Sequence, residues 1–137
     1  MAHWLVKSEP GSWSWADQTA AGATHWDGVR NAQALNSMRR MAVGDRALFY
    51  HSGKQRRIVG IVEIVKPFYD DPDDPKSGLV DVRTVGALPD PVTLADIKAD
   101  PDLAHLALVR QPRLSVMPVD DDAWSKLCRM GGLTAGG

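Results

Sequence analysis

A tryptophan in an irregular, polar segment is the first candidate for chemistry in this sequence. Trp26 lies within residues 24–31, which are mostly polar and turn-forming rather than alternating or apolar. A large ring in such a segment can be a platform on which a flat heteroaromatic group, such as a nucleobase, stacks; stacking a base on an aromatic side chain contributes about 1–3 kcal/mol. The same residue types also fit a ring that packs into the core, so both interpretations of Trp26 stay open.

Three of the other tryptophans have regular surroundings. Trp4 alternates in a short apolar strand, Trp15 lies one position into a helix, and Trp124 lies on an apolar helix face. Each pattern is typical of core packing. We therefore predict structural roles for these three rings.

A strand end near the N-terminus carries polar side chains that can contact a ligand. Lys7 and Ser8 close the first predicted strand, just before Pro10. Ligand sites often lie at the mouth of a small barrel, where strands end. Ser8 can donate and accept hydrogen bonds, and Lys7 can pair with a phosphate. The alternative is a turn whose polar residues face solvent.

Two further segments offer polar groups. Alternation in a strand places Phe49 and His51 on one face, and Tyr50 and Ser52 on the other. His51 either hydrogen-bonds a ligand or is a satisfied structural residue. Residues 113–119 are predicted to be extended, with an arginine and a serine (Arg113 and Ser115) on one side.

Catalytic chemistry has weaker support. His51 with a nearby serine and a carboxylate can imitate a hydrolase triad, but no G-x-S-x-G pattern is present. Lys7 with Glu9 or Glu63 can form a lysine-centred acyl-transfer site if burial lowers the pKa of the lysine. The four histidines lack a close pair, so we predict no metal site.

Charge limits the kind of partner. The chain has 137 residues, 44% of them hydrophobic, which predicts one globular domain over residues 1–137. Its formal net charge is −1, whereas a protein that holds long nucleic acid mainly by its phosphates is normally strongly basic. Any nucleic-acid binding is therefore expected to be local, through one pocket and a few nearby cations.

Cysteine usage and hydropathy predict the compartment. The single cysteine, Cys128, excludes an internal disulfide and falls on a predicted buried helix face. No secretory signal is visible, and no apolar run approaches the ~20 residues of a membrane span. We expect a cytoplasmic monomer that does not associate with membranes.

Local signals predict helices between short strands. Ser14 with Asp17 forms a capping box for a helix that ends at Gly22, and Asn31 caps a helix that runs to about Met41. Thr93 caps a third helix, and Asp120 or Asp121 begins a last one that ends at residues 131–132.

The middle of the chain is predicted to be β-structure. Residues 47–51 and 58–65 form a hairpin with a polar, basic tip. Gly60 inside the second strand indicates a bulge or a close approach to the backbone. Residues 79–85, 106–109 and 113–116 are predicted to be extended. The strands come in hairpins without full crossover helices, which argues against a doubly wound sheet and favours a small, partly open barrel with helices packed at its ends.

Four motifs in order resemble the EVE domain family over nearly the whole chain. They are WLVKSEP at 4–10, WDGVRN at 26–31, GD at 44–45 with FYHS at 49–52, and RLSVMPV at 113–119. The resemblance implies an α+β, PUA-like fold: a small, partly open mixed β-barrel of five to six strands with surrounding short helices. The family is also similar to YTH domains, in which a flipped base enters an aromatic cage.

By that analogy the protein is a non-catalytic module that inserts a modified nucleobase of DNA or RNA into an aromatic and polar pocket, with no cofactor. Trp26 is then a cage wall, Ser8 reaches the base, and the backbone at Glu9 and Asp27 bonds its edge. Hydrogen bonds from Asn31 and His51 are also expected. The implied ligand-binding residues are Lys7, Ser8, Glu9, Trp26, Asp27, Arg30, Asn31, Phe49, His51, Ser52, Arg113 and Ser115. Phosphates are expected to meet the predicted cations Lys7, Arg30 and Arg113, with help from Lys54, Arg56 and Arg57 of the hairpin tip.

The sequence departs from the family pattern at two places. Ala32 and Leu35 replace an aromatic residue and an arginine of the usual run after Asn31, and residues 77–79 stand where many relatives carry a tryptophan. If that tryptophan closes the cage, this pocket has an open or aliphatic wall. Two alternative functions remain: a small PUA-like amidohydrolase acting on a modified nucleoside through Lys7 and Glu63, and a sensor of a free nucleotide or other small molecule.

Overall fold

A six-stranded mixed sheet forms the centre of the computed structural model, which describes residues 1–133. The strands follow the order β2-β5-β4-β3-β1-β6, and only β1 and β3 pair in parallel. The sheet stays open because β2 and β6 form its two edges. The predicted α+β class, with five to six strands and short helices, is confirmed, and the strands form one mixed sheet that is not closed. The strands are His3–Ser8 (β1), Ala23–Trp26 (β2), Arg46–His51 (β3), Arg57–Asp70 (β4), Gly78–Thr93 (β5) and Val116–Val119 (β6).

Short helices connect the strands, and their predicted caps are confirmed. The side chains of Ser14, Asn31, Thr93 and Asp120 each accept a hydrogen bond from a backbone N–H in the first turn of the helix that follows. Asp17 completes the capping box. The helices are Trp15–Ala21 (α1), Ala32–Arg40 (α2), Leu94–Lys98 (α3), Ala107–Arg110 (α4) and Asp121–Met130 (α5), with a 3-10 turn at Pro101–Leu103.

Gly60 marks a close approach, as predicted, and the approaching group is the indole of Trp15. A Cβ placed on Gly60 would lie 2.4 Å from that ring. The pairing of β4 with both neighbouring strands shifts register around this position. The start of α1 is therefore seated directly on the sheet backbone.

Two predictions of extended structure were wrong. Residues 107–110 form α4, in which the N–H of Arg110 bonds the carbonyl of Leu106 at 3.1 Å and that of Gln111 bonds Ala107 at 2.7 Å. A four-residue apolar run fits a helical turn as well as a strand, and periodicity cannot separate them. Strand β6 begins only at Val116, because residues 112–113 form a turn.

Within residues 1–133 the buried apolar side chains form one cluster, apart from that of Leu79. Trp4, Trp124 and Cys128 are buried in it, and Trp15 packs against it half-buried, as predicted. Within residues 1–133, none of the helices has both the length and the apolar character to cross a membrane.

Candidate functional site

A cleft of about 500 Å³ opens where β1 and β2 end. Ser8 is the last residue of β1, Trp26 the last of β2, and Ser115 directly precedes β6. Half of the predicted ligand-binding residues line it, and its volume is within the range of small-ligand pockets. The lining residues are Lys7, Ser8, Glu9, Ser12, Trp13, Thr24, His25, Trp26, Asp27, Gly28, Val29 and Ser115. We call it the indole cleft, after its two tryptophans.

Trp26 belongs both to the core and to the cleft wall. The residue is only 7% exposed, and its ring and that of Phe49 meet edge to face, with the ring centroids 5.5 Å apart and the ring planes at 89°. Edge-to-face pairs of this kind are favourable. The packing fixes the orientation of the indole before any ligand binds. The two interpretations of Trp26 are therefore compatible.

Trp13 is a second indole in the cleft, and it was not among the predicted ligand-binding residues. Its backbone N–H bonds the carbonyl of Glu9 at 2.9 Å, and its Nε1 donates to Oε1 of Gln18 at 3.0 Å. The turn at residues 9–12 returns the chain toward the end of β1. The only sequence signal for this placement is the Pro10-Gly11 pair just before it.

The hydroxyl of Ser8 has a fixed polarity. It donates its hydrogen to the backbone carbonyl of Trp13, because a carbonyl can only accept. The Ser8 oxygen that borders the cleft can then only accept a hydrogen bond from a ligand. The sequence alone allowed either direction.

Backbone donors complement this acceptor. The N–H groups of Glu9 and Asp27 bond no other residue within 1–133. The carbonyl of Glu9, by contrast, accepts from Ser12 and Trp13, each at 2.9 Å. The backbone at Glu9 therefore offers the cleft a donor.

The charged end of Lys7 does not face the indole cleft. Its ammonium donates to the carbonyl of Pro112 at 2.8 Å and lies 5.6 Å from the centre of the Tyr50 ring. Pro112 and Tyr50 line a different cleft, which Lys7 also borders. Burial lowers the pKa of the Lys7 ammonium.

Phe49 and His51 lie behind the cleft rather than in it. Phe49 is fully buried between Trp15 and Trp26. The backbone N–H of Trp15 donates to Nε2 of His51 at 2.9 Å, and Nδ1 of His51 contacts Oε1 of Gln55 at 2.8 Å. Because a backbone N–H only donates, Nε2 is the acceptor and the hydrogen is on Nδ1. Both ring nitrogens thus have protein partners, and the predicted ligand bond from His51 would require one of them to be released.

Three other predicted residues, Asn31, Ser52 and Arg113, also lie outside the indole cleft. The side chain of Asn31 caps α2 by accepting from the N–H of Ala34 at 3.0 Å. Asn31 and Arg113 line a separate, shallow cleft. The predicted grouping of Arg113 with Ser115 is therefore wrong, because Ser115 lines the indole cleft. The turn at residues 112–113 separates the two side chains. Ser52 borders the same cleft as the Lys7 ammonium.

Arg30 also lies outside the indole cleft and pairs with the acidic loop between β4 and β5, residues 71–77. Its guanidinium contacts Oδ2 of Asp74 at 2.7 and 2.8 Å. The pKa of Asp74 is lowered, first by the backbone N–H of Lys76 and then by Arg30. A phosphate at Arg30 would have to compete with this carboxylate.

The positions that depart from the family pattern do not border the indole cleft. Ala32 and Leu79 are absent from its lining. The ring of Phe68 covers Gly78, where an added Cβ would lie 2.1 Å away. The alternative lysine-centred site is not assembled in its Lys7–Glu63 form either. Lys7 pairs with Tyr50 and Glu63 with Arg46, so the two residues are offset by about 13 Å along β3 and lie on the two strands that flank it.

The rim of the cleft carries a contact between a histidine and an aspartate, and small side chains. Nε2 of His25 lies 3.5 Å from Oδ2 of Asp27, with both side chains more than half exposed. The other lining residues that sequence reasoning did not single out are Ser12, Thr24, Gly28 and Val29, which share the segments of Trp13 and Trp26. Over residues 1–133, no three His, Cys, Asp or Glu side chains come together in a way that can hold a metal ion.

Comparison with known proteins gives consistent matches. A family model described as "EVE domain" matches residues 2–130. Human thymocyte nuclear protein 1 is 34% identical over 157 residues, which cover 88% of this chain and 70% of that protein. The crystal structure of Atu2648 from Agrobacterium tumefaciens is 46% identical, with a TM-score of 0.95 over 98% of this chain and 96% of that one.

Two other solved structures are informative. The crystal structure of the human THYN1 protein in complex with DNA that contains 5-methylcytosine is 30% identical, with a TM-score of 0.89, covering 97% of this chain and 99% of that one. ASCH from Zymomonas mobilis is 14% identical over 94% of this chain, with a TM-score of 0.64. That second likeness concerns the fold alone.

Proposed function

This chain belongs to the EVE domain family, and on that premise we propose that the indole cleft takes in one modified nucleobase, a 5-substituted cytosine, from a DNA strand. The observation that carries the proposal is the position of Trp26. Its indole is fixed edge-on against Phe49 and borders a cleft of about 500 Å³. A ring held in this way offers a stacking surface without further ordering on binding.

The polar groups of the cleft complement the pairing edge of cytosine. That edge carries one amino donor, at N4, and two acceptors, at N3 and O2. Ser8 supplies an oxygen that can only accept, which suits the amino group. The backbone N–H groups of Glu9 and Asp27 are donors without other partners in residues 1–133 and suit the two acceptors. Thymine carries the acceptor O4 where cytosine carries its N4 amino donor, so it would place an acceptor against the Ser8 oxygen.

The energetics are sufficient for a base outside the stack. Extruding a base costs a few kcal/mol, and least from a single strand. Stacking on an indole returns about 1–3 kcal/mol, and hydrogen bonds at the pairing edge add to this. The net charge of −1 fits a protein that engages one nucleotide and its nearest phosphates rather than a long duplex.

The choice of DNA rests on the human THYN1 complex with DNA containing 5-methylcytosine, which is a property of that relative. Lys7, Arg30 and Arg113 remain candidates for phosphate contacts, and RNA remains a second candidate source of the base. We favour binding without a catalysed reaction, because Lys7 and Glu63, the candidate catalytic pair of the amidohydrolase alternative, lie apart.

The test is equilibrium binding of dye-labelled oligonucleotides measured by fluorescence anisotropy. The set carries one central cytosine, 5-methylcytosine, 5-hydroxymethylcytosine or thymine, in single-stranded DNA, duplex DNA and RNA, with free nucleosides and nucleotides as competitors. We expect the tightest binding for a 5-substituted cytosine in DNA. Equal affinity for all strands would contradict a base reader, and equal affinity for a free nucleotide and a strand would favour a small-molecule sensor.

A further inference from the structure

A second cleft, on the opposite face of β3 from the indole cleft, is basic. We propose that this basic cleft is a phosphate-binding site that holds a phosphodiester of the strand whose base enters the indole cleft. The inference rests on the proposed function for the identity of the strand, but the phosphate chemistry stands on the basic cleft alone. Its polar lining residues are Lys7, Tyr50, Ser52, Arg56 and Lys98.

The charges in the basic cleft have one sign. It encloses about 270 Å³, and three of its lining residues are cations whereas none is acidic. The groove beside it shares Arg56 and Lys98, adds Lys54, and also has no acidic lining residue. In a chain whose overall charge is slightly negative, this local excess of positive charge attracts an anion.

The cations of the basic cleft lack carboxylate partners within residues 1–133. The Lys7 ammonium bonds the Pro112 carbonyl, and Nε of Arg56 donates to the carbonyl of Gly53 at 3.3 Å. Some cations elsewhere in the described chain do have such partners: Lys126, for example, contacts Asp100 at 2.6 Å. An anion can therefore approach the cations of this cleft without displacing a carboxylate from them.

One carboxylate does lie nearby. The side chain of Glu9 packs against Gly53, where an added Cβ would be 2.5 Å from its Oε2. Glu9 lines the indole cleft but not the basic cleft. It therefore marks the boundary between the two.

Neutral donors add to the basic cleft. Tyr50 and Ser52 both line it. Burial raises the pKa of Tyr50, an effect that Arg56 partly opposes. The phenol therefore keeps its hydrogen at neutral pH. Hydroxyl and ammonium donors together are the usual surroundings of a bound phosphate.

Backbone bonds bring the cations together. The N–H of Leu94 donates to the carbonyl of Arg56 at 2.8 Å, which ties the start of α3 to the hairpin tip. Lys98 lies four residues after Leu94, on the same face of α3. Leu94 and Lys98 both line the basic cleft, so the helix presents its lysine beside Arg56.

The geometry allows one strand to use both clefts. In β1 the side chains of Lys7 and Ser8 point to opposite faces, and their Cα atoms are about 3.8 Å apart. Ser8 lines the indole cleft, whereas Lys7 lines both clefts and its ammonium bonds Pro112, a lining residue of the basic cleft. The N–H of Ser52 bonds the carbonyl of Ser8 at 2.9 Å and joins the two walls. A strand that crosses the ends of β1 and β3 can therefore place a base on one side and a phosphate on the other.

The salt dependence of oligonucleotide affinity tests the basic cleft. We would measure the slope of log K against log salt for wild type, Lys98→Gln, Arg56→Gln and the charge-retaining Lys98→Arg. Arg129→Gln is the matched control, because Arg129 is exposed and lines a cleft with Asp102 and Asp120. Loss of one phosphate contact lowers the slope by about 0.7 on a single strand or about 0.9 on a duplex. We expect that change in Lys98→Gln and Arg56→Gln, and none in Lys98→Arg or Arg129→Gln.

A second probe separates this inference from the base-reading proposal. A strand built only of abasic residues has phosphates but nothing to stack. We expect it to shift the backbone NMR signals of Lys98 and Arg56 in wild type, with weaker affinity in Lys98→Gln. Inorganic phosphate serves as the free-anion arm, and we expect it to bind more weakly than the abasic strand.

The outcomes differ for the two claims. Base-dependent binding with unchanged slopes in Lys98→Gln and Arg56→Gln, and no shifts at these residues, would overturn the phosphate site and leave base reading intact. Binding of the abasic strand at the basic cleft without any preference among bases would support the phosphate site and contradict base reading. Tighter binding of inorganic phosphate than of the abasic strand would contradict a phosphodiester as the ligand.

Discussion

The ring of Trp26 meets the ring of Phe49 edge to face, at 89° and 5.5 Å between centroids. The Phe49 ring of this pair belongs to the protein core, since Phe49 is fully buried. Trp26 also lines the indole cleft. The proposed stacking surface is thus an extension of the core, which holds it in place by packing rather than by hydrogen bonds.

Ser8 is predicted to set the preference for an amino-bearing base. Ser8→Ala removes the acceptor, so we expect affinity for a 5-methylcytosine strand to fall about 2- to 10-fold, the effect of one neutral hydrogen bond of about 0.5–1.5 kcal/mol. Thymine is the sharp comparison, because it keeps the methyl group and replaces the amino group by O4. The ratio of affinities for the two strands should therefore shrink in the variant.

Ser12→Ala is the matched control for Ser8. Ser12 also lines the indole cleft but is exposed, so its loss should leave the ratio unchanged. Thermal unfolding of both variants would show whether release of the Trp13 carbonyl has altered the fold. An undiminished preference over thymine in a folded Ser8→Ala protein would refute the assigned role.

Gly60 is predicted to be intolerant of any side chain. Gly60→Ala would place a methyl group 2.4 Å from the Trp15 ring, and overpacking of this kind typically costs about 1–3 kcal/mol. Gly86→Ala is the control, since it lies in the neighbouring strand β5 with no atom within 4 Å of its added Cβ. Urea unfolding should show a clear loss of stability for the first variant and little change for the second. Equal stabilities would mean that Trp15 does not pack on this backbone.

His51 is predicted to act mainly through structure. His51→Ala leaves the backbone N–H of Trp15 without its acceptor, and an unsatisfied buried donor costs about 1–3 kcal/mol. We expect a lower melting temperature but, in the folded protein, a smaller loss of oligonucleotide affinity than in Trp26→Ala. Unchanged stability with lost binding would instead make His51 a ligand contact, as the family resemblance implied.

Cys128 is predicted to be unreactive in the folded protein. Burial raises the pKa of its thiol from 9.0 to about 11, and only the thiolate reacts with alkylating agents. Iodoacetamide at pH 8 should therefore modify the native protein far more slowly than the urea-unfolded protein. Because the pKa is higher in the folded state, the thiol's contribution to stability is complete below pH 9 and is lost between pH 9 and about 11. Rapid alkylation of the native protein would contradict the buried position.

Much of the fold follows from local sequence signals. Ser14, Asn31 and Thr93 were identifiable as caps because each precedes a helix and its oxygen bonds the first turn. Gly60 was identifiable because a glycine in a strand interior often marks a bulge or a close approach to the backbone. These features depend on residues close in sequence, so the local residue types are sufficient to predict them.

The parts that sequence missed depend on distant contacts. Nothing local to Lys7 shows that its ammonium reaches Pro112, which is 105 positions away. Nothing local to Arg30 shows that it pairs with Asp74, because the two residues are 44 positions apart in the sequence. Trp13 enters the cleft only because a turn folds back on β1. Half of the predicted ligand-binding residues therefore line the indole cleft, whereas the places of the others are set by contacts that local patterns do not contain.

The most direct test of the central claim is the affinity of Trp26→Ala for the preferred modified strand, measured beside Phe49→Leu. Phe49→Leu disturbs the same packing but leaves the stacking surface, so it controls for lost stability. We predict that Trp26→Ala, kept folded at low temperature, loses about 1–3 kcal/mol of binding free energy, whereas Phe49→Leu loses much less. Wild-type affinity in a folded Trp26→Ala protein would contradict base stacking in the indole cleft.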